Sequence, residues 1–367
     1  MHSTRVEIDH RALRHNVTMI RQRVSPAGII AVIKANAYGH GAAELATTYE
    51  NLGLRLFAVA TVEEALELRR GGPQRDILLF GAHSLPLLSE AIQNNIIITL
   101  NDANLIPELD KVARRLGKKV RCHINVDTGM GRAGVLPLHL EKVWDLLDEN
   151  PGLKAEGLYT HFSSADETDS AYSLEQMKRF RELCARPAAQ RGLMLHMANS
   201  AAIMHFPQSY ADCVRPGIML YGNLPAPGFV TEWPLREAMQ FKSYVSLIKK
   251  MPPGRAISYN RLWYTERETL LALVPVGYAD GYMRGLSGKA RVLIGGKPRP
   301  VVGAVTMDQI VVDLGPLSGV KTGDEVVLFG RQGDEFISIN DVAAWAGTIA
   351  YEVTCAISRR VPRIHRF

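Results

Sequence analysis

The sequence predicts an α/β protein in two parts: an N-terminal (β/α)8 barrel of the TIM type over residues 1–228, then a mostly β C-terminal domain over 229–367. Three observations carry this. Short apolar runs alternate with amphipathic segments as far as Tyr221, the pattern of parallel strands joined by crossover helices. The stretch Asn223–Gly228, with two prolines and a glycine, then breaks that rhythm. After it, strand-like runs follow one another with one helix among them, which predicts a separate β unit.

In chain order, Asp9 is placed to cap a helix whose apolar stripe is Leu13, Val17, Ile20 and Val24. The runs that follow are Ile29–Ile33, Leu56–Ala60, Ile77–Phe80, Ile96–Leu100, Val120–Val126, Gly157–Thr160, Leu193–Met197 and Cys213–Val214. Helical segments such as Thr61–Arg70, Asp102–Leu116, Pro137–Leu147 and Tyr172–Gln190 lie between them. Eight such alternations predict a closed barrel. The second part has runs at Phe241–Ile248, Leu270–Val276, Ala290–Ile294, Val301–Val305, Ile310–Leu314 and Glu325–Phe329. Gly295-Gly296 suits a hairpin turn there, and one helix is expected near Asn340–Ala346.

Composition narrows the function classes. With 367 residues, 47% of them hydrophobic, the chain can bury a core in each domain. A net charge of +6 comes without a Lys/Arg run or basic–aromatic interleaving, so no nucleic-acid partner is expected, although a mild positive bias suits anionic ligands. No apolar run could span a bilayer, and Met1–Asp9 lacks the apolar core of a signal peptide, so no membrane partner is expected. Cys122, Cys184, Cys213 and Cys355 show no paired spacing, which argues against a disulfide frame and a zinc cluster. A cytoplasmic location is expected.

A (β/α)8 barrel keeps its active site at the carboxyl ends of its strands. Lys34 and Tyr38 follow the first run there, and Asn125, Asp127 and Gly129-Met-Gly-Arg132 follow the fifth. His161 follows the sixth, His196, Asn199 and Ser200 the seventh, and Arg215-Pro-Gly-Ile218 the eighth. A lone strand-end lysine more often snorkels into water. Lys34 closes a buried strand, where partial desolvation lowers an amine's pKa and suits it to form a Schiff base.

Ten segments together resemble one family. Val32–Gly41 (VIKANAYGHG), Val126–Arg132 (VDTGMGR), Thr160-His-Phe162, Ala198–Ala201, Val214–Ile218 and Tyr221-Gly222 match motifs of the alanine racemases. So do Ile257-Ser-Tyr259, Val276–Gly281, Met307-Asp-Gln309 and Tyr351-Glu-Val353, in the same order over almost the whole chain. The very short eighth run is counted as a strand partly on this resemblance.

The resemblance implies that Lys34 carries pyridoxal 5'-phosphate. Its phosphate would be held by Tyr38, Ser200, Tyr351 and the backbone N–H groups of Gly217 and Ile218, with His196 and Asn199 also among the cofactor residues. Arg215 would face the pyridine nitrogen; a guanidinium gives up no proton, so the ring stays a modest electron sink. Two bases are implied, Lys34 on one face of the substrate and Tyr259 of the partner subunit on the other. An unaided phenol has a pKa of about 10, so His161 would hydrogen-bond it, with Arg215 keeping the imidazole neutral. Tyr264 is a rival for Tyr259, but the Ile257-Ser-Tyr259 match favours the latter. Arg132 would bind the substrate carboxylate, shared with the backbone N–H of Met307 of the partner subunit. Tyr278 and Arg284 would narrow the access channel to small side chains. The implied protein is a homodimeric isomerase interconverting L- and D-alanine for bacterial peptidoglycan, with a broad-specificity racemase, for instance of serine, as the alternative.

Two departures from the family pattern stand out. Many relatives carry a carbamylated lysine where this chain has neutral Asn125, so Arg132 would be steadied by the amide or by a bound anion such as chloride. Asn260 replaces the usual glycine after the catalytic tyrosine, and asparagine tolerates the left-handed conformation. Three rivals are weaker. A metal-dependent hydrolase built on His161, His196, Asp127 and Asp166 leaves Lys34 unexplained. A non-catalytic carrier of the same cofactor would need no β domain, and a decarboxylase would benefit from a protonated ring nitrogen, which Arg215 opposes.

Overall fold

The computed structural model describes residues 4–72, 75–167 and 169–367, so Met1–Ser3 of the N-terminal stretch lie outside the described residues. Strand β1 (Arg5–Asp9) comes first and ends on Asp9, whose Oδ1 accepts from the N–H groups of Arg11 and Ala12 at 2.8 and 3.3 Å. That cap starts the helix His10–Val24, which buries Leu13, Val17, Ile20 and Val24 as the stripe requires.

Eight parallel strands then close on themselves: β2 (Gly28–Val32), β3 (Leu56–Val59), β4 (Asp76–Leu79), β5 (Ile97–Leu100), β6 (Val120–Asn125), β7 (Leu153–Tyr159), β8 (Met194–His196) and β9 (Cys213–Val214). The two-residue β9 closes the ring by pairing Cys213 with Gly28 and Val214 with Ile29. Helices cover the outside, so most strands are buried on both faces and read as unbroken apolar runs. The exception is β7, which begins at Leu153 rather than Gly157. Its first half carries Lys154 and Glu156, and Glu156 pairs with Arg121 of β6 at 2.9 Å and with Lys154 at 2.8 Å. Charge on that half hides the strand from an apolar scan.

The second domain contributes β10 (Met239–Tyr244), β11 (Leu247–Met251), β12 (Ala256–Ile257), β13 (Trp263–Tyr264), β14 (Thr269–Val274), β15 (Arg291–Ile294), β16 (Lys297–Val302), β17 (Ile310–Gly315), β18 (Glu325–Gln332), β19 (Glu335–Ile337) and β20 (Arg363–Arg366). The main sheet runs β11-β14-β17-β16-β15-β18-β10-β1-β20, with β19 on β18 and β12–β13 forming a separate hairpin. The run expected at Phe241–Ile248 is two strands, β10 paired with β18 and β11 with β14. Gly295 and Gly296, at φ +63° and +69°, turn β15 into β16, the left-handed pair a two-residue hairpin needs. Helix Ile339–Ala346 is capped by Ser338, and Ala350–Cys355 follows it.

β1 lies between β10 and β20 in this sheet. Residues 5–9 therefore stitch the start of the chain into the second domain, which a reading of 1–228 as barrel alone did not foresee. Arg363 adds a second stitch: its guanidinium donates to the carbonyls of Gly39, Ser358, Val361 and Ile357 at 2.6–3.1 Å. The end of the second domain thus braces the segment that follows β2.

Candidate active site

A cavity of about 340 Å³ opens at the carboxyl ends of the barrel strands, its lining including Lys34, Tyr38, Arg132, His161, Ser200 and Arg215. Asn125, Asn199, Gly217, Ile218 and Tyr351 also reach it. Residues at or just past the ends of β2, β6, β7, β8 and β9 thus converge as expected from a barrel.

Lys34 leaves β2 into an uncommon turn. Ala35, Asn36, Ala37 and Tyr38 all have φ between +52° and +54°, the left-handed region that costs an L-residue about 1–2 kcal/mol each. Surrounding bonds hold it: Ala37 N–H donates to Ile33 O, Gly39 N–H to Ala35 O, and Ala42 N–H to Asn36 Oδ1, at 2.8–2.9 Å. Burial, and then the Arg132 charge, push the Lys34 amine below its ordinary range.

Arg215, buried in the cavity wall, is the hub of the site. Nη1 donates to His196 O (2.7 Å) and His196 Nδ1 (3.0 Å); Nη2 donates to Thr160 O (2.7 Å), Met197 O (3.0 Å) and His161 Nδ1 (3.3 Å). Its guanidinium carbon lies 5.2 Å from the Tyr159 ring centre. Burial pushes its pKa down to about 10, which leaves it charged at neutral pH. Arginine is only a donor, so each histidine Nδ1 it meets must accept. His161 is held in the neutral form with its proton on Nε2, and burial followed by the Arg215 charge lowers its pKa to about 3. His196 is likewise Nε2-protonated and donates to His123 Nδ1 at 2.8 Å. His196 does not line the cavity; it orients Arg215 from beneath.

At the other end, Ser200 Oγ accepts from Gly217 N–H at 2.8 Å, and Asn199 caps the Ser200–His205 helix through Ala202 N–H at 3.0 Å. A Cβ on Gly217 would stand 2.5 Å from Tyr38 Oη. Only glycine lets that hydroxyl sit over the loop. Burial raises both the Tyr38 and Tyr351 phenols well above their ordinary pKa, so both stay protonated donors.

Arg132 rides on a loop set by Asp127, whose carboxylate accepts from Gly129 N–H (2.9 Å) and Gly131 N–H (3.1 Å). Asn125 Nδ2 donates to Ala133 O at 3.0 Å and Asn101 Oδ1 at 2.9 Å. The amide therefore steadies the backbone beside Arg132 rather than its guanidinium. Sequence reading missed Gln176, fully buried, whose amide donates to His161 O (3.1 Å) and Thr128 Oγ1 (3.4 Å) and accepts from Ser163 N–H (3.1 Å). It joins the His161 and Arg132 loops, and a polar residue on the buried face of a long helix was the only signal for it.

Tyr259, Tyr278 and Met307 lie away from this cavity, 69%, 43% and 53% exposed on the second domain. Their segments are tied together: Ser258 Oγ donates to Ala304 O (2.8 Å), and Tyr278 N–H to Thr306 O (3.0 Å). Leu262 and Tyr264 are exposed on the same hairpin. Asn260 takes φ +60°, the left-handed conformation expected of it. The metal-hydrolase reading fails on its donors: His196 is engaged at both nitrogens, Asp127 is spent on glycine N–H groups, and the described residues hold no His/Cys/Asp/Glu cluster able to hold a metal. No helix among the described residues is long and apolar enough to cross a membrane.

Barrel, attached β domain and a lysine at the mouth of the first barrel strand define a class, the two-domain barrel enzymes. Residues 8–225 match the family model described as alanine racemase, N-terminal domain, and residues 238–365 match alanine racemase, C-terminal domain. The chain belongs to the alanine racemase family, a family of isomerases. It is 42% identical over 367 residues to "Alanine racemase 2" of Caldanaerobacter subterraneus subsp. tengcongensis, covering 99% of this chain and 94% of the relative. It is 43% identical to an alanine racemase of Desulforamulus reducens, with 98% of each chain covered. The crystal structure of alanine racemase from Streptomyces lavendulae superposes with TM-score 0.93 at 36% identity, covering 100% of this chain and 98% of that one. That of Bacillus anthracis with bound L-Ala-P gives 0.91 at 38% identity, covering 100% and 96%.

Proposed function

We propose that the protein interconverts L- and D-alanine with pyridoxal 5'-phosphate attached at Lys34, in a homodimer whose sites are completed by the second copy. One observation carries this: a strand-end lysine, a free guanidinium and a guanidinium–imidazole hub share one cavity. The residues fit the cofactor. Tyr38 and Tyr351 are protonated donors, the Gly217 cradle would be filled by any Cβ, and Arg215 supplies a fixed cation for a ring nitrogen.

Bound there, the cofactor supplies an electron sink for the substrate's α-carbon. Tyr38, Ser200, Tyr351 and the Gly217 and Ile218 amides would hold its phosphate, the Gly217 N–H shared with Ser200 Oγ, to which it donates at 2.8 Å. Asn199 fixes Ser200, and His196 fixes Arg215. Arg132 has no hydrogen bond or ion pair of its own among the described residues and binds the substrate carboxylate, helped by the Met307 N–H of the partner subunit. Lys34 Nζ, its basicity lowered, takes or returns the α-proton on one face. Tyr259 Oη of the partner subunit serves the other face, and the His161 Nε2–H donates to the phenolate and so stabilises it. The exposed group of Tyr259, Leu262, Tyr264, Tyr278 and Met307 supports a second copy as its cover. We place the reaction in the cytoplasm, supplying D-alanine for peptidoglycan.

The test is a visible absorption spectrum followed by racemisation assays on alanine and serine. A cofactor band with turnover of alanine well above serine is expected. No band with ample pyridoxal phosphate, or serine turned over as fast as alanine, overturns the reading.

A further inference from the structure

The turn that carries Lys34 is gripped from the neighbouring barrel unit. Glu64 is the third residue of the helix Val62–Gly71, and its Oε2 accepts from Ala60 N–H (2.9 Å) and Thr61 N–H (3.2 Å). Thr61 Oγ1 accepts from Glu64 N–H at 3.2 Å, which completes a capping box. That box needs only one carboxylate oxygen. The other, Oε1, reaches back to the end of β2 and accepts from Ala35 N–H at 2.5 Å. Ala35 follows Lys34 and opens the left-handed turn, at φ +52°. Backbone held in so poorly populated a region persists only where its surroundings over-determine it, and Glu64 is the side chain that does so beside the lysine. Its carboxylate also opposes the Arg132 charge at the Lys34 amine.

We propose that Glu64 is a positioning residue for Lys34: its carboxylate tethers the Ala35 amide, so that the strained turn holds the ε-amine in the cavity. The proposal rests on Lys34 being the cofactor's attachment point. A glutamate used only as a helix cap would show the same T-x-x-E pattern, so the test must separate the two roles. Glu64→Ala removes both. Thr61→Ala weakens the cap and touches nothing at Ala35, and Glu64→Leu keeps the bulk of the side chain while offering neither the cap nor Ala35 an acceptor oxygen.

The cofactor-loaded proteins are compared by thermal unfolding, by residue-resolved hydrogen exchange at Ala35, and by the dissociation constant for pyridoxal 5'-phosphate. Expected for Glu64→Ala are Ala35 exchange at least tenfold faster and a dissociation constant at least tenfold higher. Thr61→Ala should lower the unfolding midpoint and leave both Lys34 readouts alone. Should Glu64→Ala fail to fold, Glu64→Leu is held to the same two criteria. The proposal is overturned if the Glu64 variant behaves as Thr61→Ala does, or if faster exchange comes with an unchanged dissociation constant. Failure of the parent protein itself to bind the cofactor would instead overturn the functional reading, and the exchange data would then decide the tether alone.

Discussion

Replacing Arg215 with lysine keeps a buried charge and removes the fork that distributes it. The guanidinium makes five hydrogen bonds, to three carbonyls and two imidazole nitrogens, all within 3.3 Å. All five radiate from Nη1 and Nη2, and a single ammonium nitrogen cannot stand at both places, so at least the two bonds of Nη1 are lost. Bonds to a charged group are worth about 1.5–3 kcal/mol each, which puts the loss of stability at about 3–6 kcal/mol. Equilibrium urea unfolding of the two proteins in the same cofactor state measures this directly. Nitrogen NMR of the histidines adds a second reading, because His161 and His196 lose the donor that keeps Nδ1 an acceptor. A loss below about 1 kcal/mol, with both tautomers unchanged, would refute the assignment of Arg215 as the hub.

Three further outcomes are expected. Tyr259→Phe should retain the cofactor band while slowing α-proton removal from one enantiomer by about 100-fold or more; equal residual exchange from both enantiomers would count against two bases. Acid should destabilise the fold, because burial lowers His123 from 6.5 to about 4 and lowers His196 also. The unfolded chain then binds more protons than the folded one between pH 6.5 and about 4. Stability should therefore fall as pH drops through that window, by up to about 2.7 kcal/mol per pH unit for the two groups, and an unfolding midpoint flat from pH 6.5 to 5 would contradict it. Gly217→Ala should displace the Tyr38 hydroxyl, since the new Cβ would lie 2.5 Å from it; weaker retention of pyridoxal phosphate on dialysis is the readout, and unchanged retention would show that Tyr38 does not serve the phosphate.

The barrel was legible because its strands are buried on both faces, and even the two residues of β9 close the ring where the run at Cys213–Val214 ended. A strand half whose residues face charge partners was not: Lys154 and Glu156 concealed the start of β7. No local pattern reveals that β1 pairs with β10 and β20 across most of the chain. In the site, residues at strand ends were found because a barrel fixes where those ends point. The side chains that orient them were not, since His123, Gln176 and Glu64 lie on a strand or helices and read as core or cap. Nor could sequence disclose that four consecutive left-handed residues follow Lys34, because none of Ala35, Asn36, Ala37 and Tyr38 is glycine.

The most direct measurement is to load the protein with pyridoxal 5'-phosphate, reduce it with borohydride and map the label by peptide mass spectrometry. The added mass should fall on Lys34, and Lys34→Ala should lose the label, the visible band and racemisation together. A label on another lysine, or an unmodified Lys34 in the presence of ample cofactor, would contradict it.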